Sequence, residues 1–78
     1  MTARIAVIHA TRAAILPVEK AFSEIWPEAE HWSLLDEGLN QYLDRAGELT
    51  DDLRKRFVRL ATYAADTGID GLLLALSR

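Results

Sequence analysis

The run "RIAVIHA", Arg4 to Ala10, is apolar at nearly every position and rich in β-branched side chains. A strand with one wet face would alternate polar and apolar residues. An almost unbroken run suits a strand buried on both faces, as in a parallel sheet. That choice governs the rest of the chain, because parallel neighbours need long crossover connections, usually helical.

The sequence supplies such crossovers. In "ILPVEKAFSEIW" the period changes, with Val18, Ala21, Phe22 and Ile25 at helical spacing and Glu19, Lys20, Ser23 and Glu24 opposite. Pro17 fits a first helical turn, and Pro27 pushes Trp26 out of helical geometry. "EHWSLLD", Glu30 to Asp36, reads as a second strand. Leu39, Tyr42 and Leu43 predict one or two helical turns closed by Gly47. "TDDLRKRFVRLATYAADTG" predicts the longest helix, with an apolar stripe of Leu53, Phe57, Leu60, Ala61 and Ala64. Thr50 serves as its N-cap, Asp51 and Asp52 sit at the positive end of its dipole, and Gly68 ends it in a left-handed cap. "IDGLLLALS" is a third strand, apolar throughout.

The resulting β-α-β-α-β alternation implies an α/β fold with a parallel sheet and right-handed crossovers. With the helices on opposite faces, the strand order is 2-1-3, a flavodoxin-like arrangement. A chain of 78 residues makes one domain, 1–78, and a domain this small buries only about 60% of its unfolded surface. The net charge of -3 gives no reason to expect nucleic acid as the main partner. The absence of cysteine excludes disulfides, thiolate metal sites and thiol catalysis. The opening "MTARIAVIHA" is too short in its apolar part to span a bilayer and reads as a strand rather than a signal segment. No membrane partner and a cytoplasmic location are the expectation.

Ligands of open α/β sheets bind beyond the carboxyl ends of the strands. Three segments meet there: His9, Ala10, Thr11 and Arg12 after the first strand, Asp36, Glu37 and Gly38 after the second, and Ser77 and Arg78 after the third. The candidate ligand-binding residues are therefore His9, Thr11, Arg12, Asp36, Glu37 and Ser77. Each has a plainer role beside the functional one. Thr11 either hydrogen-bonds a carboxylate beside helix N–H groups or caps a turn. His9 is an acid or base, or a packed, hydrogen-bonded histidine. Arg12 pairs with an anion or lies in solvent. Asp36 and Glu37 hold polar groups of a ligand, supply a general base, or cap the next helix. Ser77 can donate to an oxyanion or carboxylate.

Other groupings carry less. Glu28, Glu30 and His31 lack a fixed spacing for metal, so no metal site is expected. "HATRAA" contains no glycine, which disfavours a dinucleotide or phosphate loop, and no cofactor is expected. Arg54, Lys55, Arg56 and Arg59 read as a solvated, ion-paired face beside the acids of the helix start. Trp26 and Trp32 read as core or interface.

Taken together, "RIAVIHAT", "PVEKAFSEIWPEAE", "LLDEGL" and "LTDDLRKRFVRLATYAADTGIDGLLL" resemble the N-terminal half of the Asp/Glu/hydantoin racemase superfamily. The resemblance covers essentially the whole chain but one domain of a two-domain pattern. It implies a site in a cleft between two α/β domains, where one cysteine from each moves a proton beside a carboxylate. In "LLLALSR" Ala75, Leu76 and Ser77 take the family's Thr-Cys-Ser positions, and Leu76 cannot ionise. The chain is thus expected to be a truncated or diverged half-domain.

A 2-1-3 sheet leaves the third strand at an edge, with Leu72, Leu73, Leu74 and Leu76 on it. An apolar, unpaired strand is a site of association, so a homo-oligomer formed through the third strand is expected. Three functional readings stand side by side. The chain is a racemase-like fold without chemistry of its own that retains small-carboxylate or anion binding. Alternatively it is a self-associating structural module. The third reading is an isomerase-type enzyme, working through Ser77, His9 and Asp36 or as part of a longer chain.

Overall fold

The computed structural model describes residues 2–48 and 50–75. Within them the elements are β1 (Arg4–His9), a 3-10 turn (Arg12–Ala14), α1 (Ile15–Ile25), β2 (Glu30–Leu35), α2 (Glu37–Ala46), α3 (Asp51–Ala65) and β3 (Gly71–Ala75). The sheet is parallel throughout, in the order β2-β1-β3. That is the arrangement the sequence predicts.

β1 occupies the centre because its sequence tolerates burial on both sides. Ala6, Val7, Ile8 and His9 are all buried. Its register sets Ile5 against His31 and Gly71, and His9 against Leu35 and Ala75. Strand side chains alternate between faces, so Ile5, Val7 and His9 share one face with His31 and Ser33. Ala6 and Ile8 share the other with Leu34.

The two faces are covered differently. On the Ile8 face, Ile8, Ala10, Leu39 and Leu53 form the core, with Leu34, Leu43, Phe57 and Leu60 packed around it. α3 carries the expected stripe and buries Leu53 and Ala64. Thr50 caps it, its hydroxyl accepting from the Leu53 amide at 3.2 Å. The helix ends at Ala65, and the left-handed Gly68 (φ 80°) lies in the turn beyond rather than at the cap itself. α2 is longer than the predicted one or two turns, with ten residues ended by left-handed Gly47 (φ 71°). Its extension is explained at the N-terminus, where Asp36 accepts from the Gly38 amide at 3.1 Å.

On the His9 face α1 docks through Phe22, whose ring stacks on His31 with centroids 4.5 Å apart. Here the expected stripe is only partly used. Val18 and Phe22 are half-buried, Ala21 is exposed, and Ile25 is 82% exposed. A three-stranded sheet is too narrow to receive the whole width of the stripe, and α1 has no fully buried residue. Trp26 is 43% exposed, so it is not core.

Candidate functional site

The carboxyl ends of all three strands point the same way, as parallel pairing requires. The β1 and β2 ends are tied by the Asp36 amide, which donates to the His9 carbonyl at 2.9 Å. The expected cluster therefore assembles in part, but its members have different fates.

His9 is wholly buried on the α1 face. Its Nε2 lies 3.1 Å from the Ser33 hydroxyl oxygen, while Nδ1 has no hydrogen-bond partner among the described residues. Burial pushes the His9 pKa down, and the charge of Glu19 on α1 opposes that shift. The ring is sealed from solvent beneath α1 and ties β1 to β2. Ser33 is its partner, and only the register of β1 against β2 reveals it.

Asp36 is committed to structure. Arg56 on α3 donates through Nε to Oδ2 at 2.7 Å and through Nη2 to Oδ1 at 2.6 Å. With the Gly38 amide also donating to Oδ1, the carboxylate has little acceptor capacity left. The Arg56 hydrogen bonds hold the Asp36 carboxyl below its usual range, and Asp36 in turn raises the Arg56 pKa. The guanidinium also sits over the Tyr42 ring, 5.0 Å from its centroid. Gly38 makes room for it, since a Cβ there would stand 2.6 Å from Arg56 Nη2. This two-pronged pair fixes α2 and α3 to the end of β2. Asp36 thus acts as cap and clamp, not as a free general base.

An open groove remains between the β1–α1 loop and the first turns of α2. Ala10, Thr11, Arg12, Glu37, Asn40 and Gln41 line it. Thr11 has extended backbone and does not cap the 3-10 turn through its side chain. Arg12 Nε donates to Glu37 Oε1 across the groove. Both side chains are well exposed, so water competes with the pair and its exchange for another partner costs little. Asn40 and Gln41 follow Glu37 by three and four residues, which places them on the same side of α2. That spacing was the sequence signal for them, hidden by their polar, unremarkable character. Arg56 gave no such signal, since twenty residues separate it from Asp36.

Ala75 ends the described part of β3 opposite His9. Ser77, the sixth candidate, lies outside the described residues, as does Leu76. Among the described residues no group of three or more His, Asp or Glu side chains could hold a metal ion, and no helix is long and apolar enough to cross a membrane. No family model, curated protein or solved structure matches the chain.

Proposed function

We propose that this chain is a racemase-like α/β half-domain that holds a small carboxylate at its strand ends and moves no proton by itself. One observation carries the reading: the exposed Arg12–Glu37 pair spans a polar groove at the carboxyl end of β1. An incoming carboxylate displaces Glu37 from Arg12, and the Asn40 and Gln41 amides supply further donors. Glu37, once released, is placed to meet a positive group such as the ammonium of an amino acid. Acid–base chemistry needs a group of suitable pKa within reach of the reacting atom. His9 is sealed, Asp36 is clamped, and the sequence contains no cysteine. Within a longer chain, the same groove would supply the carboxylate-holding half of an isomerase site.

Amide NMR titration with acetate, aspartate and glutamate tests the binding. Saturable shifts confined to residues 10–12 and 37–41 are expected, and Arg12→Gln should remove them. A groove that stays silent in every titration sinks the proposal. Exchange of the α-proton of either amino acid with solvent deuterium, catalysed by the purified chain, would refute the claim of chemical inertness.

A second reading rests on β3. Leu72, Leu73 and Leu74 are 44%, 44% and 45% exposed on an edge strand that carries no charge and no proline. We infer that two copies pair through this edge. A two-fold axis at Leu73 sets Leu72 of one copy opposite Leu74 of the other, so the edge is complementary to itself. Light scattering after size-exclusion chromatography should show a dimer or larger species, and Leu73→Lys should reduce it to monomer. A wild-type monomer at micromolar concentration contradicts this reading.

A further inference from the structure

A second groove lies between α2 and the first half of α3, away from the strand ends. Tyr42, Thr50, Asp52, Lys55, Arg56 and Arg59 line it. On α3, residues 52, 55, 56 and 59 are three or four apart and form one stripe along the helix. The basic cluster that looks ion-paired in sequence is therefore divided. Arg56 is held by Asp36 and by the Tyr42 ring, which makes it a fixed wall. Lys55 and Arg59 make no ion pair among the described residues, although Asp52 lines the same groove.

Two unneutralised cations one turn apart disfavour each other. A ligand with two negative charges removes that repulsion, whereas a single carboxylate satisfies only one of them. The Thr50 hydroxyl accepts from the Leu53 amide and keeps its own proton to donate. We propose that this groove binds the phosphate or pyrophosphate group of a small organic ester, gripped by Lys55 and Arg59 with Thr50 as a further donor. Arg56 contributes shape and field, its orientation fixed by the two bonds to Asp36. Asp52 is the residue that opposes the ligand and limits its affinity.

The site is separate from the carboxylate groove, and its test keeps the two apart. Pyrophosphate titrated into the wild-type chain at constant ionic strength should give saturable amide shifts at Tyr42 and across Thr50–Arg59. Acetate should give none there. The Lys55→Gln/Arg59→Gln double variant should bind pyrophosphate roughly tenfold more weakly or worse. Asp52→Asn should bind about fivefold more tightly, and Arg12→Gln should bind as the wild type does. All the substituted side chains are exposed, and a cooperative urea transition for each variant confirms that it folds. Shifts that chloride reproduces, equal affinity in the double variant, or no gain on removing Asp52 would each overturn the assignment.

Discussion

On the Ile8 face of the sheet, side chains from β1, α2 and α3 interlock and exclude water almost completely: Ile8 and Leu39 are each about 1% exposed. On the His9 face, α1 lies over the strands with no residue fully buried, and His9 beneath it has a ring nitrogen with no partner among the described residues. Both faces belong to the same three strands, so the contrast comes from what covers them. Two helices joined by an ion pair make a second layer, whereas a single helix resting on one ring stack does not.

The largest predicted difference is in core truncation. Leu39→Ala removes a buried side chain from the packed face and should cost about 2–5 kcal/mol, a large fraction of the stability of a domain this small. A matching drop in the urea midpoint checks it. The corresponding change on the other face, Ile25→Ala, should change the unfolding free energy by no more than about 0.5 kcal/mol. Equal effects would erase the distinction between the faces.

Next in size is the clamp. Arg56→Met leaves the Asp36 carboxylate without its two charged donors and should cost about 2 kcal/mol at neutral pH. Because Arg56 lowers the Asp36 pKa, the folded carboxylate holds its proton more weakly than the unfolded one. The stabilisation is therefore complete above the ordinary carboxylate range and is lost as the pH falls through the folded value. In the variant, urea midpoints across acid pH should fall less steeply.

The His9 face has its own, gentler pH signature. Burial lowers the His9 pKa, so the unfolded chain takes up this proton more readily than the folded chain. Stability should be full above the ordinary histidine range, near about 6.5, and decline as the pH drops below it. His9→Gln should flatten that limb of the curve. The smallest effect is kinetic: α1 amides should exchange with deuterium faster than those of α3 under native conditions. Uniform protection would mean that α1 is held more firmly than its packing implies.

The same contrast explains which elements are legible in the sequence. β1 was legible because burial on both faces leaves an unbroken apolar run, and α3 because Thr50, two acids and a five-residue stripe agree. The order of strands followed from alternation and handedness. α1 was legible as a helix but not in its degree of burial, since amphipathicity reports what a helix could bury and not how wide its partner is. The full length of α2 is hidden in the sequence because Asn40, Gln41 and Arg45 dilute its apolar positions. At the site, Arg12, Glu37 and Thr11 fell where topology put them. The fates of Asp36 and His9 depended on Arg56 and Ser33, partners supplied by packing and register, which no local pattern encodes.

Gly38 has a consequence that reaches beyond its own turn. Its hydrogen occupies the place where any other residue would carry a carbon, 2.6 Å from the Arg56 guanidinium. A methyl there would meet Nη2 and force the guanidinium to shift against Asp36. Arg56 is a wall of the groove that Tyr42 also lines, so a single missing atom at the start of α2 leaves that wall its place.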